Sequence, residues 1–422
     1  MKYNEPDFFS DPRVIDDPKA YFDLMRSKSP VCREPYHGTL MVTGYDAVFE
    51  VLWRADDTFS SAVSVVGPIP PLPFKPQGED ITEQIEAHRY ELPWGNHLAC
   101  FDGEKHTHYR TLMAGIINPK RVRQNEDYLY GLADRLIDGF IDRGYCDIVS
   151  EFAHAATTFA ISDLMGIPEA DRAELLELIG APPSQLEGDA VHKVGPDPLI
   201  FMKPRFDAYL RERQSNPGND LMSEIANARL PGGAIPDFDD LSRMARFLFG
   251  AGQDTTSRLI AMGIKILAED KELQQRLRQE PGSTPQFIEE VLRFDAPVKV
   301  VYRLARRHTS IAGIDVPAGT IVTVCLTAAS NDPAHFENPQ EFNIDRPNAR
   351  EHLGFSKGKH TCIGAPLGRL ESRVAIERLL ARTADISIAE EHHGSPANRH
   401  YRFEPTYSFR SLSDLHVTFT AA

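Results

Sequence analysis

Apolar residues recur at helical spacing along most of this chain. Over 128–141 they fall at Leu129, Leu132, Leu136, Ile137 and Phe140, the one-sided pattern of an amphipathic helix. Similar stretches cover about 152–165 and 200–213, and another runs through Leu367, Leu370, Val374, Leu379 and Leu380. The longest covers about 239–270. Its middle is polar and glycine-containing, between the apolar flanks Phe247-Leu248-Phe249 and Leu259-Ile260. Strand-like runs are fewer. Residues 40–43 predict a short strand leading into a helix that starts at Asp46 and carries Val48, Val51 and Leu52. Residues 314–320 and 321–324 predict a hairpin across a Pro/Gly turn, and strands are expected again beyond about Ser387. A proline-rich segment, 67–76, cannot be helical, and a long loop inside a compact domain usually serves function. The stretch 182–220 is rich in Pro, Gly and charge around its helical piece. There is no clear linker and no internal repeat. The pattern predicts a single domain over 1–422, mainly α, with a helix-rich lobe and a smaller β-rich lobe (α+β).

Composition narrows the possibilities. The 422 residues are 41% hydrophobic, enough for a sizeable core, and no uninterrupted apolar run is long enough to predict a membrane span. The first residues lack the apolar core of a signal peptide, so a cytoplasmic protein is expected. A formal net charge of −15 argues against nucleic acid as a partner. Five cysteines (Cys32, Cys100, Cys146, Cys325 and Cys362) are scattered without a C-x-x-C pair, which is neither a disulfide framework nor zinc-ribbon spacing. Four of them read as small buried hydrophobes.

Cys362 differs. It stands in Phe355-Ser356-Lys357-Gly358-Lys359-His360-Thr361-Cys362-Ile363-Gly364, a basic loop just ahead of an apolar helical run. Each part has a physical reason if Cys362 is a metal thiolate. Glycines at 358 and 364 permit positive φ and let backbone N–H groups fold around sulfur. The positive end of the following helix favours thiolate over thiol. Phe355 can shield the sulfur from water. The pattern Phe-x-x-Gly-x-His-x-Cys-x-Gly resembles the haem-binding loop of the cytochromes P-450, soluble bacterial type, whose iron is held by a cysteine thiolate.

Further motifs stand in that family's order. In Gly250-Ala251-Gly252-Gln253-Asp254-Thr255-Thr256, each unfavourable residue weakens a helix interior by roughly 0.5–1 kcal/mol. Small residues there let a flat ligand lie against the backbone, and a locally opened turn can hold water. Phe247, Ala251 and Thr255 share one helical face. The motif is similar to the family's Ala-Gly-x-Asp/Glu-Thr, which implies Thr255 beside bound dioxygen and Asp254 as a proton relay. Glu290 and Arg293, three apart and so able to pair, match the family's Glu-x-x-Arg, which braces the haem loop. Its usual second arginine falls on Glu341 here, leaving Arg346 as the candidate. Haem carries two carboxylates. The resemblance implies His106, Arg110, Arg303 and His360 as their partners, whereas His108 points elsewhere on its helix.

The resemblance implies a thiolate-haem monooxygenase, holding haem b and inserting one atom of O2 into an unactivated C–H bond. No dinucleotide fingerprint occurs, so electrons are expected from NAD(P)H through a ferredoxin reductase and a ferredoxin. Lys357 and Lys359 form a basic patch suited to an acidic ferredoxin. The substrate is expected to be a small-to-medium lipophilic molecule: terpenoid, aromatic or steroid-like. Pocket walls are expected at Phe247, Ala251, Val301, Tyr407 and Phe409. Lys299, on the strand face of Val301 and Arg303, either pairs with an acidic substrate group or reaches water. The family places 67–76 in the pocket roof and 182–220 in a lid, and a monomer is expected. The rivals are a peroxide-driven peroxygenase on the same fold, which an intact Asp254-Thr255 pair disfavours, and a haem sensor or carrier without turnover.

Overall fold

Helix dominates the computed structural model, which describes residues 6–55, 57–180 and 195–422. The helices that build the site are α1 (Tyr45–Trp53), α2 (Gly103–Ile116), α3 (Glu126–Asp138) and α4 (His154–Met165). Later in the chain follow α5 (Lys203–Ser215), α6 (Phe238–Glu269), α7 (Thr284–Phe294) and α8 (Ala365–Arg382). The sequence sets the ends of α6 locally. The Asp237 side chain accepts from the Asp239 N–H, and Asp239 and Asp240 place negative charge in the first turn.

Apolar burial fixes α6 at the centre. Its first half packs Met244, Ala245 and Phe249 with Ile161 of α4 and Phe206 of α5. Its second half packs Ile260, Ile264 and Leu267 with Phe287 and Val291 of α7 and Ile376 of α8. At Gly263 a Cβ would stand 3.1 Å from Ile376 Cδ1, so the absence of a side chain lets α6 and α8 approach.

Among the described residues ten strands make three sheets. They are β1 (Val31–Arg33), β2 (Leu40–Val42), β3 (Phe59–Ser60), β4 (Tyr145–Asp147), β5 (Val300–Ala305), β6 (Thr309–Ile311), β7 (Ile314–Val316), β8 (Ile321–Cys325), β9 (Thr383–Ile388) and β10 (His416–Ala421). The five-stranded sheet runs β1-β2-β8-β5-β3, with β2 and β8 parallel, Leu40 opposite Val322. The others are β4-β10-β9 and β6-β7.

The expected hairpin across 317–319 does not form. β7 pairs with β6 across Ala312-Gly313, both at positive φ, while β8 leaves to pair with β2 and β5. A two-residue turn with both residues left-handed suits a tight hairpin, and it outcompetes the longer Pro/Gly connection. The strand at 40–43, the helix after it and the irregular 67–76 segment are as expected. The helical piece of 182–220 is a 3₁₀ turn (Ile200–Met202) running into α5, and 181–194 lie outside the described residues. Among the described residues no helix is long and apolar enough to cross a membrane.

Candidate active site

Cys362 lies between a 3₁₀ turn (Gly358–His360) and α8. Its N–H donates to the Phe355 carbonyl at 2.8 Å, and the backbone N–H groups of Gly364 and Ala365 favour an ionised sulfur. Gly358 has φ +72, and a Cβ there would stand 2.7 Å from the Leu52 carbonyl oxygen, so a glycine lets the loop press on α1. Gly364 departs from expectation: at φ −79 it is ordinary right-handed backbone, and its N–H favours the ionised sulfur.

The Cys362 side chain carries substantial accessible surface. Yet protein surrounds it so closely that burial dominates its ionisation and pushes the thiol pKa up. The Gly364 N–H, Arg110, the Ala365 N–H and Arg369 pull the other way without prevailing. The start of the helix favours the thiolate but does not outweigh burial. A cation on the sulfur would do so.

The glycine-rich motif lies alongside. Ala251 is exposed and Thr255 partly so in the middle of α6, while Leu248, Phe249, Gln253 and Thr256 around them are buried. Thr256 Oγ1 is 3.3 Å from where a Cβ on Gly368 would stand, in the first turn of α8. Ala251 and Thr255 on α6 and Cys362 ahead of α8 keep accessible surface, and the Thr256–Gly368 approach sets the two elements side by side; the space between the small-residue helix face and the thiol loop is the candidate slot. The helix is unbroken here, so the opened turn is not present; the Thr255 hydroxyl instead donates to the Ala251 carbonyl at 2.9 Å. Asp254 Oδ1 accepts from Arg258 at 2.7 and 3.0 Å, and Arg258 reaches Glu404 at 3.2 Å.

Cationic and polar groups gather at the rim. The His106 and His360 rings stack at 3.9 Å, His360 Nε2 lies 3.1 Å from Ser61 Oγ, and Arg110 donates to the Thr361 carbonyl. Arg303, buried, donates to Ser64 Oγ at 3.0 Å and to the Tyr302 carbonyl at 2.8 Å. All four implied carboxylate partners therefore meet segments 61–64 or 360–361, while His108 turns away to Glu104 at 3.5 Å. A thiol, a small-residue helix face and a basic rim suit a dianionic porphyrin.

Behind the loop, Glu290 and Arg293 are fully buried and joined by two bonds of 2.8 Å. Arg346 supplies the second arginine, donating to Glu290 Oε1 at 3.2 Å, and the Glu341 carbonyl accepts from both arginines. A neighbouring network escaped the sequence reading. Glu289 takes Arg369 at 2.7 and 3.0 Å and meets His352 at 3.1 Å, while Arg369 lies 4.6 Å over the Phe355 ring. Burial opposes ionisation of Glu289, but His352 and Arg369 hold it at about 2. The adjacent acid in Glu289-Glu290 was its sole sequence signal.

The expected substrate walls divide. Phe247 and Val301 are half-buried, and Phe409 lies under the Arg258 guanidinium at 5.2 Å. Tyr407 packs on Phe8 at 6.3 Å and Phe9 at 6.4 Å, within the N-terminal aromatic cluster. Lys299 neither reaches water nor presents much surface to the slot. It is 1% exposed and donates to the Thr406 carbonyl at 2.9 Å, and burial, with Arg410 nearby, lowers its pKa to about 7.

The family model for cytochrome P-450 matches residues 201–384. Cytochrome P-450 144 of Mycobacterium tuberculosis is 31% identical over 387 residues, covering 89% of this chain and 85% of that protein. The biotin biosynthesis cytochrome P-450 of Bacillus subtilis is 27% identical and covers 96% and 97%. The substrate-free structure of Mycobacterium marinum cytochrome P-450 CYP150A6 superposes with a TM-score of 0.92 at 43% identity, covering 99% of both chains. The chain belongs to the cytochrome P-450 family. It is a cytochrome P-450 monooxygenase.

Proposed function

We propose that Cys362 is the iron ligand of haem b in this slot, with Phe355 and Gly364 beside the ring and His106, Arg110, Arg303 and His360 on its carboxylates. The observation that carries this reading is the Cys362 thiol, accessible at the start of α8 with the Gly364 and Ala365 N–H groups favouring its ionised form. Haem, when bound, supplies the activation of dioxygen, so that one oxygen atom enters a substrate C–H bond and the other leaves as water.

The chain's own groups do the rest. Ala251 leaves room for substrate beside the helix, and Thr255 holds a proton at the slot on its hydroxyl. Asp254 exchanges protons toward Thr255, and its ion pair with Arg258 and Glu404 governs when it is free to do so. The buried side chains around the motif keep water, and wasted protons, out. Phe247, Ala251, Val301 and Phe409 favour a small-to-medium lipophilic substrate.

Electrons come from a ferredoxin that docks at the cysteine loop. Lys359 is half exposed, although Asp57 at 3.7 Å tempers its charge. A Lys357→Glu/Lys359→Glu protein should accept electrons more slowly from an acidic ferredoxin at low salt and lose that deficit at high salt. Cys362→His should bind haem without the thiolate-type carbon monoxide spectrum, and a retained spectrum would refute the ligand assignment. Turnover with ferredoxin exceeding turnover with peroxide separates this reading from a peroxygenase.

A further inference from the structure

One carboxylate and one backbone bond fasten the segment that crosses α6 beside the slot. Asp197 lies in the short strap 195–202 that leads into α5. Its Oδ2 accepts from Arg246 Nη1 at 2.8 Å, and its Oδ1 lies 3.2 Å from His97 Nε2 and accepts the Leu199 N–H at 3.2 Å. Arg246 is on α6 and fully buried, and the His97 side chain is fully buried in the loop before α2. That loop is also tied to the strap directly, by the Trp94 N–H donating to the Pro196 carbonyl at 3.0 Å. The two partners depend heavily on Asp197. Among the described residues Arg246 otherwise reaches only the Ser242 carbonyl, with Nη2 unpartnered, and His97 Nδ1 has no partner.

The lock positions apolar groups over the slot. Phe247, one turn before Ala251 on the same face, is held between the His97 ring at 5.8 Å and the Trp94 ring at 6.1 Å. Leu199 lies against the open backbone of Gly250, where a Cβ would meet its Cδ2 at 3.7 Å. A shift of the strap would therefore move Leu199 and release Phe247 together.

We infer that Asp197, bridging Arg246 and His97, sets the height of the roof over the slot and thereby selects substrates by size. Asp197 is a positioning residue acting through Leu199 and Phe247. The inference rests on the reading that haem occupies this slot with substrate above it.

The test uses the haem-loaded protein and two iron-ligating probes of different bulk, imidazole and clotrimazole, followed by the shift of the haem absorption band. In Asp197→Asn the association rate of clotrimazole should rise by about tenfold, while that of imidazole stays within about twofold. Hydrogen exchange over 196–202 should quicken and that over 358–364 stay unchanged. Equal responses of the two probes, or none, overturn the proposal. If Asp197→Asn does not fold, Leu199→Ala keeps the ion pairs and removes the side chain over Gly250; faster clotrimazole binding with unchanged imidazole supports the proposal, and no difference overturns it. Should the wild-type protein bind no haem, the reading of the slot fails instead, and hydrogen exchange in Asp197→Asn, which needs no haem, still decides whether Asp197 fastens the strap.

Discussion

The two sides of the slot are built differently. On the thiol side, each of two adjacent buried acids serves two partners: Glu290 holds Arg293 and Arg346, and Glu289 holds Arg369 and His352. These ties run between α7, α8 and the loop ahead of Cys362, and they interlock. On the substrate side, the strap is tied by one acid, Asp197, and by one backbone bond from Trp94 to the Pro196 carbonyl. Removing one partner of an interlocked buried network leaves charges stranded, whereas two separate ties can break and let their segment move. The geometry that fixes the chemistry is over-determined, and the geometry that meets the substrate is adjustable.

This contrast can be broken by experiment. Glu290→Gln should have the largest effect, about 3–5 kcal/mol of stability, because it strands two arginines in the core. Urea unfolding checks it, and a loss no greater than that of Asp197→Asn would erase the difference between the sides. Asp254→Asn should slow turnover by about 100-fold with an unchanged urea midpoint, since its partner Arg258 keeps Glu404. A stability loss instead would make Asp254 part of the scaffold.

Acid sensitivity should follow the same division. Glu289 is held at about 2 against an ordinary 4.5, so its stabilisation is complete above about pH 4.5 and fades as pH falls toward 2. Glu289→Gln should flatten that part of the profile of unfolding free energy against pH by on the order of 2 kcal/mol. Asp197, also held at about 2 but more exposed, should contribute a smaller share. The smallest structural change belongs to Thr255→Ala, under about 1 kcal/mol, accompanied by more reducing equivalents lost as peroxide. Tight coupling in that variant would take Thr255 out of the proton path.

Much of the thiol side was legible because its signals are local. The spacing around Cys362, the Glu290–Arg293 pair and the small-residue centre of α6 each lie on one element, where three or four positions make neighbours. Arg346 could be named from the family's second arginine, but its bond to Glu290 required the fold. Glu289 to Arg369 and Asp197 to His97 join distant segments, and no periodicity reports such pairs. Lys299 and Tyr407 misled for a related reason. Strand alternation puts Lys299 on the face of Val301, but the C-terminal loop folds over and offers it the Thr406 carbonyl. Tyr407 is claimed by Phe8 and Phe9 from the far end of the chain. The missed hairpin was a competition between two turns, decided by the left-handed pair Ala312-Gly313.

The parallel pairing of β2 with β8 bears on how the protein is born. Leu40 must wait for Val322, so about 280 residues separate the two strands during synthesis, roughly 15–55 s at 5–20 residues per second. Throughout that interval β1 and β2 have only each other, and two strands alone are marginal in water. The apolar faces of Leu40 and Val42 are then open to any passing edge. The nascent chain's hazard therefore lies at its earliest strands, and a ribosome-associated chaperone has the most to protect there.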